Sequence, residues 1–197
     1  MKTSKILSLL MASAVLLPIQ AVAANTIAWP LVKSANSTCS KISPSGFLID
    51  HSFGDFENLE VFVQGLPPNT DFDLFSIQVP NGPFGLAWYI GDIQTDASGY
   101  GVGNFVGRFN IETFIVAPGT APAVQVFSGD AATNPTTPPV HTYHLGLWFN
   151  SPTDAQNKGG CVGNVTPFNG EHNAGVQILN SGISGFTGPK GPLFFVQ

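Results

Sequence analysis

The residues of this chain best suited to chemistry at neutral pH are its four histidines, His51, His141, His144 and His172. His141 and His144 are three apart, so within one strand they point to opposite faces and make no simple two-ligand site. His172 follows Glu171 in the irregular run 166–175, where an acid and a base sit side by side. A site centred on His144, Glu171 and His172 must therefore assemble from separate segments, with Asp154 a further candidate ligand. Zinc or copper would accept such a donor set. Both methionines, Met1 and Met11, lie at the extreme N-terminus, which removes the usual axial ligand of a blue-copper centre.

Other constellations are weaker. Asp71 and Asp73 fall on one strand face, with Asp92 and Asp96 on a neighbouring segment, yet no EF-hand spacing accompanies them. Trp29, Trp88 and Trp148, with Tyr89, Tyr100 and Tyr143, would form a sugar-stacking platform if exposed, and Trp88 and Trp148 are the candidates for it. Strand aromatics otherwise belong to a core. No G-x-S-x-G precedes a helix, so serine hydrolysis has no support. The glycine-rich Gly99-Tyr100-Gly101-Val102-Gly103 sits in a hairpin with no helix N-terminus behind it, which excludes a phosphate loop. The sequence assigns no catalytic residue, no cofactor and no metal.

Strands must position whatever site exists. Leu59, Val61 and Val63 alternate with Glu60, Phe62 and Gln64, the period of two of a half-buried strand. Gly65-Leu66-Pro67-Pro68-Asn69-Thr70 breaks the run, and a second alternation follows through Phe72 and Leu74. Further strands are expected within 27–32, 46–49, 84–93, 100–114, 115–116, 123–127, 140–149, 176–179 and 193–196. Residues 50–55 and 128–139 read as loops, and 153–158 as one helical turn. Many short strands separated by Gly and Pro turns, without helical periodicity, predict an all-β domain.

The corner Leu66-x-Pro68-x-Thr70-x-Phe72 resembles the L-x-P-x-T-x-Y run of fibronectin type III domains, with Phe72 in place of the corner tyrosine. That resemblance implies an Ig-like or fibronectin-like sandwich and transfers no function. The runs Trp148-Phe149-Asn150-Ser151-Pro152 and 166–175 are similar to the C-terminal part of uncharacterised secreted bacterial proteins, a likeness that brings no activity with it.

Lys2 and Lys5 precede an apolar run over 6–17, and Ala21-Val22-Ala23 supplies small residues, so 1–23 reads as a secretory signal peptide. Residues 24–197 then form one secreted domain, extracellular or periplasmic, of about 174 residues, with five basic and twelve acidic side chains. Nucleic acid and anionic membranes are poor partners for such a chain. No second long apolar segment suggests a membrane span. Cys39 and Cys161 are the only cysteines, and in an exported chain they are expected to pair.

The expected fold is thus all-β, a single antiparallel β-sandwich (Ig/fibronectin-like or jelly-roll-like), stapled by a disulfide. The expected function is that of a secreted, non-enzymatic surface, matrix or adhesion module that binds a protein or glycan partner. The alternatives are a secreted metal-binding protein or enzyme centred on His144, Glu171 and His172, and a carbohydrate-binding domain.

Overall fold

The structure is a computed structural model that describes residues 25–109, 115–116, 139–163, 166 and 173–196. The expected signal peptide 1–23, the expected strand 123–127 and the pair Glu171–His172 lie outside the described residues. In chain order the strands are β1 (Thr26–Lys33), β2 (Ser45–Phe53), β3 (Phe56–Gln64), β4 (Asp71–Ile77), β5 (Ala87–Gln94) and β6 (Gly101–Gly107). They continue with β7 (Ile115–Val116), β8 (Pro139–Val140), β9 (His144–Phe149) and β10 (Gln177–Asn180). A short helix α1 spans Pro152–Asn157, and a 3-10 turn spans Pro192–Phe195.

Eight strands form one antiparallel sheet in the order β5-β4-β9-β10-β1-β2-β3-β6, and β7 pairs with β8 apart from it. The all-β antiparallel reading and the Cys39–Cys161 disulfide, which closes a separation of 122 residues, are as expected. The sandwich takes a different form, because the sheet is continuous and nearly closed into a barrel. β1 makes the join. It pairs with β2 from Thr26 to Leu31, then with β10 through Val32 and Lys33. At the other seam β5 and β6 touch through the Thr95–Gly101 bridge. The Phe105 ring fills this seam, lying so close to Gly91 and Gly103 that a Cβ at either would be 2.5–2.6 Å from it. Trp29 occupies the β1 side near Phe186 and Phe195, with its indole N–H donating to the Ser181 carbonyl.

The alternation that marked β3 is obeyed: Leu59, Val61 and Val63 are fully buried. They meet Leu48 and, from the other half, Phe72, Leu74, Leu147, Phe149 and Ile178. Phe72 and Phe149 lie with ring centroids 4.8 Å apart. β4 and β9 are covered on both faces, because Phe75, Ile77 and Trp148 build a second cluster with Phe84 and Ala174. That double cover explains the unbroken apolar run Leu145 to Phe149.

Phe72 lacks the hydroxyl of a tyrosine corner, and Thr95 supplies the missing bond from the adjacent strand end. Its Oγ1 donates to the Pro67 carbonyl at 2.7 Å and accepts the Thr70 amide at 3.0 Å. Asn69 adopts φ 46°, the turn conformation its type tolerates.

Several boundaries differ from expectation. Residues 50–55 are not a loop: β2 runs to Phe53 and β3 starts at Phe56, leaving a Gly54-Asp55 turn with Gly54 at φ 68°. The strand expected at 193–196 is the 3-10 turn, where Pro192 removes a ladder donor and the Leu193 amide bonds the Tyr143 carbonyl. The run 140–149 is two pieces, β8 and β9, separated by His141–Tyr143. The helical turn near 153–158 is α1, capped by the Ser151 hydroxyl accepting from the Asp154 amide.

Candidate functional site

His144 begins β9 with no exposed surface. Its Nδ1 lies 2.9 Å from Ser181 Oγ and its Nε2 lies 2.8 Å from the Gly188 carbonyl. A carbonyl only accepts, so Nε2 carries the proton and Nδ1 accepts from the Ser181 hydroxyl. Ser181 Oγ also accepts the Leu145 amide at 2.9 Å. Both ring nitrogens are therefore committed, and a metal at either would displace a native bond. Burial pulls the imidazole down to about 4, against smaller raising effects of the backbone at Gly188 and Lys190, so it is neutral at physiological pH. The Ser181–His144 pair has the atoms of a nucleophile and base, but both residues are fully buried. It holds the segment 181–191 on the barrel. Gly191 completes the fit, since a Cβ there would stand 2.7 Å from the ring and 2.3 Å from the Tyr143 carbonyl.

The other described histidines are elsewhere. His141 is buried and stacked on Tyr143, with ring centroids 5.0 Å apart. His51 lies on the outer face of β2, 2.6 Å from Thr26 Oγ1. Asp154, the further ligand weighed with His144, sits on α1 and accepts from Lys158 at 3.2 Å. Among the described residues no group of three or more His, Cys, Asp or Glu side chains is arranged to hold a metal ion.

The carboxylates of β4 and β5 are also dispersed. Asp73 is buried opposite Asp92, while Asp71 Oδ1 accepts from Gln94 Nε2 at 2.9 Å. Asp96 folds its turn, accepting from the Ser98 hydroxyl and from the amides of Ser98 and Tyr100, bonds that hold its carboxyl below the usual range.

A buried acidic pair was not legible in the sequence. Asp50 and Glu57 both point into the barrel with no exposed surface. Asp50 is in register with Leu59, and Glu57 with Ser52, so the two carboxyls are diagonal neighbours on one face. Glu57 Oε2 accepts the Phe109 amide. Burial first, then the charge of Glu57, lifts Asp50 to about 7, offset in part by a contact to the His51 amide. Reading 50–55 as a loop hid the pair, because only a β2 reaching Phe53 turns Asp50 inward.

The two candidate platform tryptophans are separated. Trp148 is buried, edge-on to Phe75 and Phe84 at 5.4 and 5.0 Å. Trp88 is 61% exposed on β5, and Tyr89 beside it is also exposed. Neighbouring strand residues normally face opposite ways, but a bulge opposite Leu74/Phe75 locally reorients β5. The Tyr89 hydroxyl donates to Asp92 at 2.6 Å.

Two recesses flank the disulfide. One of about 360 Å³ lies between α1 and Cys161, and one of about 540 Å³ between the Pro67-Pro68 corner and Lys158. Lys41 borders both, but its ammonium donates to the Asn157 carbonyl, and that of Lys158 to Asn69 and Asp154. These lysines tie α1 to the loop and the corner beside it. Compared with family models, curated proteins and solved structures, the chain matches none.

Proposed function

We propose that the chain is an exported, non-enzymatic binding module that presents a rigid surface to a partner outside the cell. An intrachain disulfide fits an oxidising compartment, and no helix among the described residues is long and apolar enough to cross a membrane. The buried polar groups support the reading by the use they are put to: Thr95 fixes the corner, Ser181 and His144 fix the C-terminal segment, and Gln177 and Asn180 both donate to the Pro80 carbonyl. These are scaffold bonds.

The observation that carries the proposal is Trp88, more than half exposed on β5 next to Tyr89 and Asp92. An indole held by a strand offers a large flat contact with little side-chain freedom to lose. The Tyr89–Asp92 and Gln94–Asp71 pairs along the same strand add donors and acceptors. This combination favours a glycan, whose C–H faces stack on aromatic rings and whose hydroxyls need both bond types. The mature protein should be retained by at least one insoluble polysaccharide among cellulose, chitin and peptidoglycan, and Trp88→Ala should abolish retention while the fold persists. Retention untouched by Trp88→Ala, or none on any of the three, refutes the glycan reading.

A further inference from the structure

A second surface, sharing no residue with the Trp88 site, departs more sharply from what a solvated sheet requires. The outward positions of β1, β2, β3 and β6 fall into registered rows. The first row is Pro30, Phe47, Phe62 and Val102; the next is Ala28, Ile49, Glu60 and Asn104. The third is Thr26, His51, Asn58 and Val106, and Phe53 pairs with Phe56 beyond it. An antiparallel sheet with a core on one side normally turns polar residues to the other. Here Phe47 and Phe62 stack at 4.6 Å on the outer side, Phe47, Phe53 and Phe56 are each about half exposed, and Val106 is 66% exposed.

An aromatic side chain carries roughly 150–250 Å² of surface, so the three half-exposed phenylalanines with Val102 and Val106 expose on the order of 500 Å² of apolar surface, in two parts on either side of the Glu60 and His51 rows. Single uncovered apolar patches on monomers run to roughly 300–600 Å². With the exposed Thr26, Ala28, Pro30 and Asn104, the face approaches the ~800 Å² per partner of a standard interface. Its charge narrows the occupant. The rows contain one carboxylate, Glu60, and no lysine or arginine; the exposed Arg108 lies one residue past β6, at the Phe56 edge of the face. Neither a polyanion nor a basic peptide finds complementary charge there. A second copy of the chain does: it brings the same apolar rows and a single carboxylate, so contact adds little like-charge repulsion.

We infer that this face is the contact between two copies of the chain. Glu60 and His51 are diagonal neighbours near the middle of the rows, since His51 is in register with Asn58. A two-fold axis lying between the two faces and crossing that diagonal at right angles at its midpoint sets each Glu60 over the partner's His51. The contact is then isologous and closes as a dimer.

Sedimentation equilibrium of the natively exported, untagged protein tests the assignment. The expected result is a mass that doubles as concentration rises to on the order of 100 µM, the range a contact of this size should reach. Phe47→Glu should give a monomer, and Val106→Glu, at a site open enough to keep the fold, should weaken association at least ~10-fold. Val162→Glu, exposed beside the disulfide, should change nothing. A wild-type monomer throughout the range, or a dimer that survives Val106→Glu, overturns the inference. So does dissociation by Val162→Glu. Should Phe47→Glu fail to fold, Val106→Glu decides.

Discussion

Asp50 and His144 make opposite demands on pH, and replacing one exposes the other. Asp50 rises from 3.8 to about 7 on folding, so the native state binds the extra proton between these values. Its contribution is complete below pH 3.8 and is lost as pH rises through 7, a change of roughly 4 kcal/mol at 1.36 kcal/mol per unit. His144 falls from 6.5 to about 4, so there the unfolded chain binds the extra proton. Its contribution is complete above pH 6.5 and is lost as pH falls towards 4, a change of roughly 3 kcal/mol. Between about pH 4 and 6.5 the two slopes nearly cancel. Asp50→Asn, close to isosteric and uncharged beside Glu57, removes the first and leaves the second. Urea unfolding followed by tryptophan fluorescence at half-unit pH steps, with the disulfide intact, should give a nearly flat wild-type contribution from this pair. In Asp50→Asn the unfolding free energy should climb by roughly 3 kcal/mol relative to wild type over pH 4 to 6.5. A difference profile that is flat, or that falls with pH, refutes the burial argument for Asp50.

Two further predictions concern the scaffold. Reduction of Cys39–Cys161, or its replacement by serines, frees a loop of 122 residues and should lower stability by about 4–5 kcal/mol in the chain-entropy picture, read as a fall in the urea midpoint. Thr95→Val keeps the shape of the corner but strands the Pro67 carbonyl and the Thr70 amide, and should destabilise by about 1–3 kcal/mol. A Thr95→Val protein as stable as wild type would mean that the corner does not depend on the Thr95 hydroxyl.

The sequence made the class of fold legible because β3 and β4 repeat in period two and Pro67-Pro68 can only interrupt them. It made the disulfide legible because a chain with two cysteines has one intrachain pairing available. The closure of the sheet was not legible. It depends on β1 changing partners at Val32, a backbone event with no side-chain signature, and on Phe105 finding space over Gly103 on its own strand and Gly91 on the strand before it, a contact across the seam that no spacing in the sequence marks. The surroundings of His144 were hidden for a related reason. His144 looked like a ligand because it is a histidine near other histidines, yet Ser181 and the Gly188 carbonyl, some forty residues later, take both of its nitrogens. Trp88 and Trp148 were indistinguishable as letters. They differ because β9 is a central strand with a cluster over it, while β5 is at an edge.

The end of the β2–β3 hairpin carries an inversion of polarity, polar residues inward and phenylalanines outward, and the register of β3 explains why it persists. Toward the corner, the inward positions are Leu48, Val61 and Val63; toward the Gly54-Asp55 turn they become Asp50, Ser52 and Glu57, while Phe53 and Phe56 face out. Sliding β2 by one residue would turn Asp50 and Ser52 outward and Phe47, Ile49 and Phe53 inward, at the cost of exposing Leu48, so β2 alone does not hold this register. Sliding β3 as well would lose Leu59, Val61 and Val63, each worth about 1.5–3 kcal/mol when buried. The β3 residues decide the register against the pattern of β2, and the mismatch is left at the hairpin tip and on the outer face of β2. A monomer would bear it as exposed phenylalanine. In a dimer built on this face Phe53 and Phe56 extend the rows begun by Phe47 and Phe62, so the register that buries two carboxyls also supplies the surface that a second chain can cover.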